Sequence, residues 1–319
     1  IRVPLYSFSQ ADVPAPALKQ SQSIYLTHAT IHIGNGKVLQ NATIAFNGGK
    51  IILVAENPSF KTDETMGKVI DYTGKQIYPG IIAPYTVMGL TEIEAVRATN
   101  DFAEVGTYNP DVRAIVCYNT DSRVTPTVRS NGVLYAQSTP LGGSISGTSA
   151  IVQLDAWNWE DALVKEDGIW LNWPSMITRS GWWAEPQPSK LNKDYDKQEN
   201  TLKEYFREAK SYFEETKHQK TNLRFEAMKS LFDKSKNLYV NVNGVKEMQH
   251  VIAFAEEFNL RLVIVGGTES YLIYDEIAQK KIPVILGNTH ELPSSEDEDI
   301  DQPYKTPAVL QKAGVLFCL

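Results

Sequence analysis

The chain has 319 residues, a length that suits a barrel with a smaller accessory domain better than one small domain. Its net charge of −7 argues against a nucleic-acid partner, because binding nucleic acid requires a basic surface. No apolar run approaches the ~20 residues needed to cross a bilayer, so we expect no membrane span. The two cysteines, Cys117 and Cys318, supply neither a disulfide framework nor a metal-ligand spacing.

The N-terminal quarter of the chain predicts an extended segment followed by short strands. Residues 1–22 contain proline, serine and glutamine without periodicity, which indicates an extended arm. Within residues 23–76, apolar residues alternate in segments separated by the turn signals Gly-Asn-Gly at 34–36 and Asn-Gly-Gly at 47–49. This alternation predicts a small antiparallel sheet.

From residue 77 to 319, short apolar segments alternate with helical stretches, which is typical of βα units around a parallel sheet. Helices are predicted at 199–218 and 245–258, where apolar residues fall on one face at 3.6-residue spacing. The range 139–187 is rich in glycine and holds all six tryptophans, and we expect an excursion of hairpins and loops over the mouth of a barrel. The predicted strands are Ile77–Ala83, Val133–Ser138, Leu238–Val242, Leu262–Val265, Val284–Leu286 and Gly314–Leu319.

The most informative stretch is VIDYTGKQIYPGIIAPYTVMGL, residues 69–90, where a strand and a Thr-Gly turn lead into Tyr-Pro-Gly-Ile-Ile. It resembles the first barrel strand of the amidohydrolase superfamily, in the branch of imidazolonepropionases and related secreted amidohydrolases. In that family the apolar pair is followed by Asp-Ala-His-Thr-His, and the two histidines hold a catalytic metal. Here the same register reads Ala-Pro-Tyr-Thr-Val, so Tyr85 and Val87 stand at the two ligand positions.

The resemblance extends over nearly all of the chain and implies further metal ligands: one histidine each on barrel strands 5 and 6, and an aspartate on strand 8. Asn241 stands at the ligand position of strand 5 and Gly266 at that of strand 6. Imidazoles and a carboxylate hold a divalent ion and lower the pKa of its bound water. Because none of these positions carries a histidine, we expect no cofactor, and in particular no zinc at the usual site.

The resemblance implies an α/β fold, namely a distorted, incomplete TIM-type (β/α)8 barrel at residues 77–319 with a small N-terminal β-sandwich domain. Residues 23–76 supply the N-terminal part of that sandwich. Since the chain ends at Leu319 inside an apolar segment, we expect strand 8 and the closing sandwich strands to be missing and the chain to be a fragment. The likeness to secreted relatives favours a periplasmic or secreted location.

Further pocket candidates lie on loops that the resemblance places at the barrel mouth. Glu92 and Asp101 follow strand 1 and could hold a hard cation or act as general acid and base, although a solvated charged loop is the alternative. Gly143 and Ser144 belong to a Gly-Gly-Ser-Ile-Ser-Gly loop that could cradle an anion on its backbone N–H groups or simply join two β segments. The last two candidates, Asn243 and His290, follow predicted strands.

Three functions are compatible with these residues. The loss of all four expected histidines favours a catalytically degenerate relative of hydrolases of non-peptide C–N bonds. Such a protein would act as a binding or partner subunit, in a homo-oligomer or in a hetero-oligomer with a relative that keeps the histidines. The first alternative is an active amidohydrolase that uses a carboxylate-held metal or no metal. The second is a module that binds a small molecule, such as a sugar or peptide, by stacking on tryptophan.

Overall fold

The described residues form two compact units. The first contains the chain up to Ile82 together with Val128–Leu134, and the second contains Ala83–Thr127 and Tyr135–Leu319. Over the described ranges, no helix has the length and apolar character needed to cross a membrane. Of the predicted arm, residues 1–15 lie outside the described residues. The computed structural model describes residues 16–56, 67–178, 181–182, 185–186, 189–293 and 297–319.

The first unit is built on a five-stranded sheet with the order β3-β2-β1-β4, in which β5 also pairs with β1. The pairs β1–β2 and β2–β3 are antiparallel, as the alternating pattern predicts, but β4 and β5 run parallel to β1. Alternation in the sequence indicates which face of a strand is buried and carries no information about its direction. The strands are β1 (Ile24–His32), β2 (Val38–Asn47), β3 (Lys50–Glu56), β4 (Lys68–Asp71) and β5 (Gln76–Ile77).

The remaining strands and the helices follow in chain order. Short 3-10 turns occur at Arg97–Thr99, Ala114–Cys117 and Ser270–Leu272. The elements are β6 (Ile81–Thr86), α1 (Val124–Ser130), β7 (Val133–Ser138), β8 (Ile145–Gln153), α2 (Trp159–Ala162), β9 (Leu163–Asn172), β10 (Ile177–Thr178), β11 (Gly181–Trp182), β12 (Glu185–Pro186), β13 (Lys190–Leu191), α3 (Tyr195–Glu214), α4 (Leu223–Phe232), β14 (Leu238–Val242), α5 (Val245–Glu257), β15 (Leu262–Gly266), α6 (Tyr274–Lys280), β16 (Val284–Leu286), α7 (Gln302–Lys312) and β17 (Phe317–Cys318).

An eight-stranded sheet with the order β17-β16-β15-β14-β9-β8-β7-β6 organises the second unit. The strands from β9 through β14, β15 and β16 to β17 run parallel, whereas β8 is antiparallel to both β7 and β9. Helices α5, α6 and α7 connect the later parallel strands, as the alternation of strands and helices predicts.

The range 139–187 differs from the predicted excursion over the barrel mouth, because it contributes two interior strands of the sheet, β8 and β9. Much of β8 and the last part of β9 are buried on both faces, so neither segment shows the alternation from which strands are predicted. Trp157 and Trp159, which are exposed, lie on the connection between these strands, where the parallel strand β9 begins. They are therefore at the opposite end of the sheet from the carboxyl ends of the parallel strands.

The two faces of the sheet have different packing. Leu238, Val240 and Val242 of β14 belong to the large apolar core that also contains the buried faces of α3, α4 and α5. Because side chains alternate along a strand, the residues between them project from the other face. That inner face forms a second, smaller cluster, which consists of Trp170, Tyr239, Val263, Val265 and Ile285.

Candidate functional site

A cavity of about 700 Å³ lies where the parallel strands β14, β15 and β16 end. The carboxyl ends of parallel strands are the usual place for ligand sites in α/β folds. An adjoining cavity of about 670 Å³ shares Asn241, Asn243, Thr268 and Glu291 with the first. Of the residues predicted from the sequence, the first cavity brings together Tyr85, Asn241, Asn243, Gly266 and His290.

Tyr85 presents an aromatic ring to the cavity from the end of β6. Its ring stacks on Trp170, with 5.1 Å between ring centroids and 9° between planes. Trp170 stacks in turn on Tyr239, at 4.7 Å and 5°. Tyr85, at the outer end of this three-ring stack, is 38% exposed, whereas Trp170 in the middle is 3% exposed. Burial raises the pKa of Tyr85, so its hydroxyl is neutral at physiological pH.

The stack rests on a buried carboxylate. Asp167 Oδ2 accepts hydrogen bonds from the Tyr239 hydroxyl at 2.6 Å and from Gln137 Nε2 at 2.7 Å. The amide oxygen of Gln137 accepts a hydrogen bond from the backbone N–H of Tyr85 at 3.4 Å. Burial and the hydrogen bond to Asp167 raise the pKa of Tyr239 to about 12. Tyr85 is therefore held both by its ring and by its backbone.

Asn241 connects the cavity to the glycine-rich loop. Its Nδ2 donates to Asn172 Oδ1 at 3.3 Å, and Asn172 Nδ2 donates to the carbonyl oxygen of Gly143 at 2.9 Å. The backbone N–H of Asn172 donates to the carbonyl oxygen of Ser144 at 2.8 Å. Gly143 and Ser144 are thus placed beside Asn241 through Asn172, although they do not line the first cavity.

Gly266 has a backbone conformation that favours glycine, with φ of +86°. A Cβ atom added at this position would lie 2.4 Å from Asn243 Oδ1, well inside van der Waals contact. That oxygen accepts a hydrogen bond from Thr268 Oγ1 at 3.0 Å. The amide of Asn243 therefore fills the space that a side chain at position 266 would enter.

Five predicted residues line neither cavity, namely Gly143, Ser144, Val87, Glu92 and Asp101. The carbonyl oxygen of Val87 accepts from the backbone N–H of Leu90 at 2.9 Å in a turn. The carboxylate of Glu92 accepts from Asn119 Nδ2 at 2.9 Å and from Ser122 Oγ at 3.0 Å. Burial, together with the nearby charges of Asp101 and Glu104, raises the pKa of the Cys117 thiol.

His290 and Glu291 border the cavity after β16. The His290 ring stands edge-on to Tyr304, with 5.4 Å between centroids. Glu291 Oε1 accepts from Asn288 Nδ2 at 2.7 Å. Sequence reasoning missed Glu291, as well as Asn172 and Thr268, although each of them follows or ends a strand of the parallel sheet, and that position was the available signal.

The residues at the expected ligand positions do not fit a divalent metal. Val87 and Gly266 have no side-chain donor, and the Asn241 amide is hydrogen-bonded to Asn172. In the part of the chain that the structure describes, no group of three or more histidine, cysteine, aspartate or glutamate side chains is arranged to hold a metal. At the positions where the resemblance implies imidazole ligands, the chain therefore has neutral side chains or, at Gly266, none.

No protein-family model and no curated protein matches the sequence. Among solved structures, the chain is similar to an amidohydrolase from Thermotoga maritima MSB8, with a TM-score of 0.76 and 22% identity over 93% of this chain and 78% of that chain. Weaker matches are molinate hydrolase (TM-score 0.45, 11% identity, 95% of this chain and 73% of that chain) and β-aspartyl dipeptidase from Fervidobacterium islandicum AW-1 (TM-score 0.42, 14% identity, 94% and 73%). The resemblance stated for residues 69–90 is thereby confirmed at the level of the fold, which this chain shares with the Thermotoga maritima amidohydrolase.

Proposed function

We propose that this protein is a catalytically degenerate amidohydrolase-fold protein that binds a small molecule at the carboxyl ends of its parallel strands without the superfamily's metal. The proposal is carried by what occupies the space at Asn241 and Gly266, two neighbouring positions where the resemblance implies metal ligands. The Asn241 amide is hydrogen-bonded to Asn172, and Asn243 fills the space beside Gly266. A histidine at position 266 would require both a strained backbone and displacement of Asn243.

The cavity supports a binding role. Its volume of about 700 Å³ falls within the range of about 300–1,000 Å³ that is usual for small-molecule sites. Polar groups from several strand ends converge on it, and the ring of Tyr85 offers a flat apolar surface. A few directed polar groups around an aromatic surface are typical of a site that orients a ligand.

The finer description of the fold is part of the same proposal. We infer that the eight-stranded sheet corresponds to a distorted (β/α)8 barrel and that the five-stranded sheet is one layer of a β-sandwich. The run of parallel strands with intervening helices supports the first inference. The position of the cavity at the carboxyl ends of the strands agrees with it, because ligand sites of such barrels lie at that end.

Metal analysis and a hydrolysis screen test the proposed function. Purified protein would be analysed for bound metal and then assayed on amides, lactams and dipeptides, with added Zn²⁺ and with EDTA. We expect no stoichiometric metal and no turnover in either condition. Turnover that requires Zn²⁺ and is abolished by EDTA would contradict the proposal. Turnover that survives EDTA but is lost in His290→Ala would instead support the metal-free hydrolase.

A further inference from the structure

The lining of the first cavity limits the charge of the ligand it can hold. Its charged or titratable residues are Glu291, His290 and Tyr85, and no lysine or arginine is among the described lining residues. The adjoining cavity adds Glu247 and Glu269, again without lysine or arginine in its described lining. A phosphate or carboxylate ligand would meet carboxylates without the cations that normally recognise it. The lining therefore disfavours an anionic ligand.

The polar groups of the cavity are suited to hydroxyl groups. Asn241, Asn243 and Asn288 each carry an amide, which both donates and accepts hydrogen bonds. Thr289 adds a hydroxyl that can do the same, and Thr268, whose hydroxyl donates to Asn243, can still accept a hydrogen bond. A ligand hydroxyl also needs a donor and an acceptor, so these side chains match a ligand that carries several hydroxyls around a small ring.

Tyr85 supplies the surface on which such a ring would lie. Trp170 stacks behind it at 5.1 Å and Tyr239 stacks behind Trp170 at 4.7 Å, so the ring is supported from one side and open on the other. A residue fixed in this way loses little conformational entropy when a ligand stacks on it. Among the described residues that line the first cavity, only His290 offers a second aromatic ring, and it is packed edge-on against Tyr304. One open aromatic face favours the C–H face of a sugar over a planar ring held between two aromatics.

We propose that the cavity binds an uncharged saccharide, with one sugar ring stacked on Tyr85 and its hydroxyls hydrogen-bonded to the surrounding amide and hydroxyl side chains. This inference rests on the proposed function, since it assigns the ligand class of the same metal-independent site. The proposal concerns binding alone, and no covalent bond is made or broken.

Calorimetric titration of the EDTA-treated, dialysed full chain tests the ligand class. The probes are glucose, galactose, mannose, N-acetylglucosamine, cellobiose and maltose, with glucuronate and galacturonate as charged counterparts, and adenosine and an alanine dipeptide as other classes. We expect at least one neutral saccharide to bind. Its uronate counterpart should bind at least about tenfold more weakly, because no cationic side chain offsets its carboxylate.

Matched variants test the role of Tyr85. Tyr85→Asn removes the ring, and asparagine tolerates the left-handed backbone (φ +49°) of this position. We expect the Kd for the saccharide to rise about tenfold in this variant and to stay within about threefold in Tyr85→Phe, which keeps the ring. Tyr274→Asn is the control, since Tyr274 is similarly exposed but lies on α6 outside both cavities. Thermal melting of each variant verifies that it is folded.

The outcomes separate this inference from the proposed function. Binding of adenosine or of the dipeptide alone would overturn the saccharide inference and leave metal-independent binding intact. Binding by none of the probes, or saccharide binding that Tyr85→Asn leaves unchanged, would also overturn it. Turnover of an amide that appears only after Zn²⁺ is restored would overturn the proposed function itself.

Discussion

Tyr85 and Gly266 show how single residues set the chemistry of this cavity. Both have left-handed backbone, with φ of +49° and +86°. For tyrosine that conformation costs about 1–2 kcal/mol, which the stack on Trp170 and the hydrogen bond to Gln137 help to offset. For glycine the conformation is ordinary. The resemblance assigns both positions to the site from the sequence alone. The backbone strain, the ring stack and the amide beside Gly266 depend on residues distant in the chain.

For a single residue of the site, we predict that Gly266→Ala is strongly destabilising. The new Cβ would meet Asn243 Oδ1 at 2.4 Å in addition to the strain of positive φ, so we expect a loss of about 2–4 kcal/mol in the free energy of unfolding. Urea titration measures it. Gly314→Ala is the matched control, because Gly314 also has positive φ (+74°) but no atom within 4 Å of the added Cβ.

Comparison with Gly314→Ala isolates the cost of the contact between the added Cβ atom and Asn243. Gly314→Ala should cost only about 1 kcal/mol, the cost of backbone strain alone. Equal losses in the two variants would mean that Asn243 moves away without cost, and the space beside position 266 would then be available to a side chain.

Helix α5 begins beside the second cavity, and two glutamates satisfy its first turn. Glu247 accepts hydrogen bonds from the backbone N–H groups of Met176 at 2.6 Å and Gly244 at 3.4 Å. Glu269 accepts from the backbone N–H of Val245 at 2.7 Å. Backbone donors in the first turn of a helix have no partner within the helix, and negative charge there is favourable. These carboxylates therefore stabilise the helix and also make the cavity acidic.

We predict that Glu247→Ala lowers the free energy of unfolding by about 1–3 kcal/mol, because it leaves the N–H groups of Met176 and Gly244 without an acceptor. Glu257→Ala, at the other end of α5, removes only the exposed ion pair with Arg207 and should cost about 0.5 kcal/mol or less. Guanidinium titration of both variants makes the comparison. Similar costs would show that the carboxylate of Glu247 is not a structural acceptor.

The predictability of an element depended on its burial pattern. The strands predicted at 133–138, 238–242 and 284–286 have those bounds in the structure, and the helix predicted from 245 begins there. The helix predicted at 199–218 lies four residues earlier, at Tyr195–Glu214. The sequence pattern does not predict strands β8 and β9, because long stretches of both are buried on two faces and show no alternation. Direction and neighbour order, such as the parallel pairing of β4 with β1, depend on contacts that a local pattern does not encode.

At the scale of the second unit, the sheet separates an outer apolar core from an inner face that combines aromatic and polar groups. The outer face is predictable, since α3 and α5 present apolar residues at helical spacing. The inner face is not, because the stack, Asp167 and Gln137 come from β6, β7, β9 and β14. The candidate site could therefore be located from the sequence only at the strand ends, and its aromatic base and neutral lining required the fold.

Desolvation of four tyrosine hydroxyls makes the stability of the second unit sensitive to alkaline pH. Burial is the largest factor that raises the pKa of four tyrosines to about 12, namely Tyr195, Tyr205, Tyr239 and Tyr271. In the unfolded chain these hydroxyls titrate near pH ~10. Between about pH 10 and 12 the folded state thus binds more protons, so this stabilisation is complete below pH ~10 and is lost as pH rises towards ~12. Urea titrations across this range should show a falling free energy of unfolding, with a shallower fall in Tyr239→Phe. A flat profile would contradict the burial of these hydroxyls.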